Sequence, residues 1–153
     1  MTERAFSERV RDMYQTLWRV SYSMLRNSAD CDDAVQEALL RAWARIDRLK
    51  DERAFSPWLV RILVNECRDA LRRRARRPQV STESIAEPSA PPERAALHDA
   101  IMALPLTLRL PLTLRYIEGY SARESAQILQ IPETTVNWRL RAARKKLRTE
   151  LEK

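Results

Sequence analysis

One glycine, two cysteines and one histidine in 153 residues exclude several classes of protein. So little glycine leaves no source for the tight turns of a many-stranded sheet, or for a glycine loop that cradles a nucleotide phosphate. Cys31 and Cys67 are far apart and lack Cys-x-x-Cys spacing, so they read as two reduced thiols packed like small apolar side chains. His98 has no cysteine or carboxylate at ligand spacing beyond Asp99, and neither a zinc site nor a catalytic base is expected. No apolar run approaches the ~20 residues of a membrane span. The start, Met1-Thr-Glu-Arg-Ala-Phe-Ser, lacks the apolar segment of a signal peptide. The expectation is a cytoplasmic, non-catalytic protein with no cofactor, no metal and no membrane insertion.

What the chain does have is helix-forming residues and positive charge. An all-α protein follows from the composition. The formal net charge is +7, carried mostly by arginine. A surplus of this size favours a polyanionic partner, nucleic acid or membrane surface, without choosing between them. Arginine suits bidentate contact with phosphate and guanine better than lysine does.

Pattern divides the chain into three parts. Residues 1–77 are helical and end in Arg72-Arg73-Arg74-Ala-Arg76-Arg77. Residues 78–92 are rich in proline and serine, acidic and without periodicity, the composition of an extended linker. Residues 93–153 are helical again. The architecture expected is two small helical domains joined by a flexible linker. In the first part, Phe6, Val10, Met13, Tyr14, Leu17, Val20, Met24 and Leu25 mark one long amphipathic helix. A second starts after Asn27-Ser28, with Ser28 as the expected cap and Asp30, Asp32 and Asp33 set against the helix dipole. A third is expected from Ser56-Pro57 to about Arg74. In the last part a helix over Ala95 to Met102 precedes another that runs through Tyr116, with a kink at Pro111.

Two helix faces carry more than core residues. On the second helix, Ala34, Val35, Ala38, Leu39, Ala42 and Ile46 form an ordinary core stripe at about 100° per residue. Leu40 and Trp43 fall outside it, beside Asp33, Gln36 and Glu37. Either a neighbouring helix covers that patch or another protein docks on it. On the third helix, Trp58, Leu59, Ile62, Leu63, Cys67 and Leu71 build the apolar face. Arg61, Asn65, Arg68 and Arg72 form one polar line, where guanidinium groups can follow phosphates and an amide can read a base edge. Trp58 at its margin can stack on an unpaired base. Glu66 falls inside the apolar face, which periodicity does not explain.

Near the C-terminus, Ala122, Ala126 and Leu129 give a short apolar helix followed by a turn at Gln130-Ile131. Pro132 opens a second helix with Val136, Leu140, Ala143 and Leu147 inward and Thr134, Trp138, Arg141 and Lys145 on the opposite face. This is the pattern of a helix-turn-helix, whose second helix can lie in a DNA major groove.

Three blocks together resemble the extracytoplasmic-function (ECF) group of bacterial sigma-70-type initiation factors. They are Leu25-Arg-Asn-Ser-Ala-Asp-Cys-Asp-Asp-Ala-Val-Gln-Glu-Ala-Leu-Leu-Arg-Ala-Trp43, then Phe55-Ser-Pro-Trp-Leu-Val-Arg-Ile-Leu-Val-Asn-Glu-Cys-Arg-Asp-Ala-Leu-Arg-Arg-Arg74, then the stretch from Leu104-Pro105 through Arg109 and Leu114-Arg-Tyr-Ile-Glu-Gly-Tyr-Ser121 into the helix-turn-helix. The resemblance implies that Asp33, Gln36, Glu37, Leu40 and Trp43 bind the clamp helices of the polymerase β′ subunit. It implies that Trp58, Arg61, Asn65, Arg68, Arg72 and Arg73 engage the −10 promoter element. It likewise implies that the last domain meets the β flap and reads the −35 element, where Thr134, Thr135, Asn137, Trp138, Arg139, Arg141, Arg144 and Lys145 are the candidate contacts. In the family the linker threads toward the RNA exit channel, and a cognate anti-sigma factor covers the polymerase-docking face. The other reading is a stand-alone helix-turn-helix regulator that binds duplex DNA without polymerase. The chain departs from the family pattern at Val60, where a tyrosine is common, and at Gln130 and Thr134, where glycines are common. It also has Asn137-Trp138 in place of a frequent Lys-Ser. Promoter preference therefore does not carry over, and Trp138 is left to a thymine methyl, a deoxyribose or a regulatory partner.

Overall fold

A computed structural model describes residues 1–77 and 92–152, with backbone only at 92 and 93. Among the described residues there are seven α-helices and no strand: α1 (Glu3–Leu25), α2 (Ser28–Ala44), α3 (Phe55–Arg76), α4 (Pro92–Ala103), α5 (Leu106–Leu112), α6 (Ala122–Leu129) and α7 (Glu133–Leu151). They group into two compact units, α1–α3 and α4–α7. The expected linker lies outside the described residues except for Pro92, which opens α4.

In the first unit the helix ends are set by side-chain caps. Thr2 accepts the Ala5 N–H at 3.1 Å to start α1, and Arg26 ends it in the left-handed region at φ 59°. The cap of α2 is Asn27 and not Ser28: Asn27 is extended, so its side-chain oxygen reaches the Asp30 N–H at 3.0 Å. The third helix starts at Phe55, before Ser56-Pro57, and has no side-chain cap. A 3₁₀ turn over Glu52–Ala54, capped by Asp51, leads directly into it. Pro57 then sits within the first turn, where its missing N–H breaks no helical bond.

The first core joins Leu17, Val20, Met24 and Leu25 of α1 to Cys31, Ala34, Val35 and Ala38 of α2 and Leu59, Leu63 and Cys67 of α3. Because α1 and α2 both pack on α3, Val60 and Val64 are buried as well. The apolar face of α3 is therefore wider than its own periodicity suggests. Ile46, expected in the core stripe, lies beyond the end of α2 in a 3₁₀ turn and is only half-buried. Cys31 and Cys67 are free and buried, and burial pushes both thiols up, Cys67 the further. They are packed, unreactive sulfurs.

The second unit is built on Leu104, Leu108 and Leu112 against Val136, Leu140 and Ala143 of α7. Buried Arg109 donates to the carbonyls of Leu104 at 2.8 Å and Met102 at 3.2 Å, satisfying acceptors at the end of α4. Pro111 lies within α5, and that helix is followed by a π-helical turn over Thr113–Ile117, in which the Glu118 N–H reaches back to Thr113 at 2.9 Å. Pro111 itself has no N–H to give the regular ladder of α5. Gly119 then turns the chain at φ 84° into α6. That helix begins with a capping box: Ser121 accepts the Glu124 N–H at 3.0 Å, and Glu124 accepts the Ser121 N–H at 2.9 Å. Gln130 makes the turn to α7 in the left-handed region, φ 58°, where glycine is the residue with least strain.

Candidate polymerase and nucleic-acid interfaces

The fold leaves Asp33, Gln36 and Glu37 exposed on α2, with Leu40 67% and Trp43 39% exposed beside them. Among the described residues no neighbouring helix covers Leu40. Trp43 leans on Phe6 of α1, ring centroids 5.2 Å apart. Glu3, Phe6, Ser7, Gln36, Leu39, Leu40 and Trp43 line an open groove of about 380 Å³ between α1 and α2. An exposed leucine and indole with carboxylates around them form a surface with an apolar centre and an acidic rim, the anatomy of a protein-docking patch.

On α3, Arg61 and Arg72 are exposed, and Asn65 and Arg68 are half-buried. The Arg68 guanidinium reaches the Asn65 side-chain oxygen at 3.5 Å, and Arg72 pairs with Asp69 at 2.8 Å. Arg73 is exposed. Its neighbour Arg74, in the arginine run that ends this part of the chain, donates to the Leu25 carbonyl and the Asp30 carboxylate, tying the end of α3 to α1 and α2. Trp58 is half-buried at the margin of the line. Periodicity does not reveal the aromatic series that joins the two faces of this unit. Trp43 meets Phe6, Phe6 meets Phe55 edge-on at 5.8 Å, and Phe55 meets Trp58 at 6.0 Å. α2 and α3 thus rest on shared rings, through Phe6 of α1.

Glu66 also acquires an account. It is 3% exposed and accepts from Arg41 of α2 at 2.6 Å, and Arg41 in turn stands 3.7 Å from Glu37. Burial raises the Glu66 proton affinity above the usual carboxylate range, and the Arg41 charge opposes that shift without cancelling it. The partner belongs to another helix, so no inspection of α3 alone could have found it.

On α7, Thr134, Asn137, Trp138, Arg141, Arg144 and Lys145 are exposed, while Thr135 and Arg139 are half-buried and stand off the outward line. Arg144 is held in place: its guanidinium donates to the Tyr116 hydroxyl and lies 5.9 Å from the Tyr116 ring centroid, and Arg115 is 5.6 Å from the same ring. Tyr116 and Arg115 sit on the π-helical turn. The sequence places both at the end of a helix and within the third family-like block, without a contact to Arg144.

Two family models match this chain, Sigma-70 region 2 over residues 9–77 and Sigma-70, region 4 over residues 94–147. The ECF RNA polymerase sigma factor SigM of Mycobacterium tuberculosis is 35% identical over 147 residues, covering 94% of this chain and 75% of that protein. Among solved structures, the sigma factor RpoE of Bartonella quintana, crystallised with the anti-sigma factor NepR, has a TM-score of 0.85 at 25% identity, covering 97% of this chain and 98% of that one. CnrH, solved in complex with the cytosolic domain of CnrY, has a TM-score of 0.74 at 27% identity, covering 99% and 90%. The chain belongs to the sigma-70 family of RNA polymerase sigma factors, in its extracytoplasmic-function group. Sigma factors are non-catalytic subunits that bind core RNA polymerase and promoter DNA.

Proposed function

We propose that this cytoplasmic sigma factor docks on the β′ clamp helices through the Asp33, Gln36, Glu37, Leu40 and Trp43 face of α2. The observation that carries this reading is the exposed Leu40 and partly exposed Trp43 within an acidic rim, on the same unit as the arginine and asparagine line of α3. Arg61, Arg68, Arg72 and Arg73 follow the backbone of the −10 element, Asn65 meets an extruded base, and Trp58 stacks beside it. The second unit engages the β flap and reads the −35 duplex with α7. There Thr134, Asn137, Trp138 and Arg141 face the bases, and Arg144 and Lys145 face phosphate. Thr135 and Arg139 act at the flank. The linker, residues 78–92, carries the chain toward the RNA exit channel.

An anti-sigma factor that covers the α2 face completes the proposal. It is supported by the two structural relatives, one solved with an anti-sigma factor and the other with the cytosolic domain of CnrY. Equilibrium binding of the full chain to core polymerase tests the docking face. Leu40→Ala and Trp43→Ala are expected to weaken binding by about thirtyfold or more each, as for residues at the centre of an interface. Asn65→Ala is expected to bind core as wild type does while failing to open promoters. Wild-type affinity in both α2 variants would contradict the proposal.

A further inference from the structure

The outward line of α7 runs through Thr134, Trp138, Arg141 and Lys145, and one of these side chains differs in kind from the others. Trp138 is 65% exposed, while Val136, Leu140 and Ala143 on the opposite side form the core. Among the described residues no ring or cation contact engages its indole; the cation–π contacts of this unit centre on Tyr116. A single exposed apolar side chain needs no explanation in general. This one stands in the second turn of the second helix of a helix-turn-helix, and the N-terminal part of that helix is what meets base edges.

Resting on the reading that α7 lies in the −35 major groove, we propose that Trp138 selects a thymine. Its ring packs against the C5 methyl and its Nε1–H is directed at O4 beside that methyl. The chemistry separates thymine from the other bases. Indole has one donor and no acceptor. In the major groove guanine offers two acceptors but no methyl, adenine an acceptor and a donor, and cytosine a donor alone. Thymine is the base that sets an acceptor next to an apolar group. The neighbouring side chains suit this placement. Asn137 carries the amide that pairs with adenine N6 and N7, and Arg141 and Lys145 continue the line with cations for guanine or phosphate. Trp138 is thus a specificity-determining residue, and its substitution alters which base is chosen more than how strongly DNA is held.

Deoxyuridine scanning tests the proposal. The full chain, assembled with core polymerase, is titrated onto duplexes that the same holoenzyme has selected from a random library. Each thymine of the −35 segment is replaced in turn by deoxyuridine, which removes only the methyl group. At one position the substitution is expected to lower wild-type affinity about fourfold. Trp138→Ser is expected to be indifferent to it, and Trp138→Phe, which keeps a ring and loses the donor, to remain sensitive. If no uracil position separates wild type from Trp138→Ser, the inference is overturned. The double variant Arg141→Ala, Arg144→Ala tells the two possible failures apart. Loss of −35 binding in it, with no uracil effect in wild type, defeats the Trp138 inference alone. Wild-type binding by it defeats the α7 reading on which the inference rests.

Discussion

Glu66 is a carboxylate with almost no access to water, and Arg41, its partner at 2.6 Å, is itself about half in solvent. Removing the arginine leaves a buried charge uncompensated. Because one member of the pair is solvated, the expected cost of Arg41→Met at pH 7 is about 1–3 kcal/mol, below that of a fully buried pair. The sign of the pH dependence follows from the raised proton affinity of Glu66. The native state takes up its proton above the ordinary value of 4.5, so stability contributed here falls as pH rises through the interval above that value. Without Arg41 the interval widens. Urea unfolding should therefore show a smaller deficit for Arg41→Met at pH 5 than at pH 7, and no such pH effect when Glu66→Gln is added. An equal deficit at both pH values would contradict this assignment. The sequence places Glu66 on an apolar face, but its partner is a tertiary neighbour, which helical periodicity cannot supply. Gln130 was legible as a turn residue, and the structure adds the left-handed conformation that the turn demands.

Among the elements, legibility followed how much of each helix is decided by its own residues. The inward and outward faces of α7 came from spacing alone because a single side of it is covered. α3 was harder. Two helices cover it, so Val60 and Val64 are buried beyond the apolar stripe, and its start is set by the preceding 3₁₀ turn instead of by Ser56. The shift of the α2 cap from Ser28 to Asn27 is a competition between adjacent capping residues, decided by which is extended. The Trp43–Phe6–Phe55–Trp58 series draws on three helices and has no signature in any one of them. At α6 both local signals agree. Ser121→Ala removes the acceptor of the Glu124 N–H and should cost about 1 kcal/mol. Thermal unfolding is the check, and an unchanged midpoint would show that the box contributes nothing to the unit.

For the molecule as a whole, composition separated two helical parts from a proline-rich segment, and the described residues form two units, each with its own core. Neither unit alone defines the function. The helix-turn-helix speaks only for duplex DNA, and the roles proposed for the α2 and α3 faces draw on the sigma-70 family to which the chain belongs. The reading as a stand-alone regulator differs in one respect that can be measured, the need for core enzyme. Run-off transcription on genomic fragments with purified core polymerase, with and without the full chain, is the most direct test. Promoter-specific transcripts are expected only when the chain is present, and both Trp43→Ala and Asn65→Ala should abolish them. No promoter-specific transcript above that of core alone would contradict the assignment of this chain as an initiation factor.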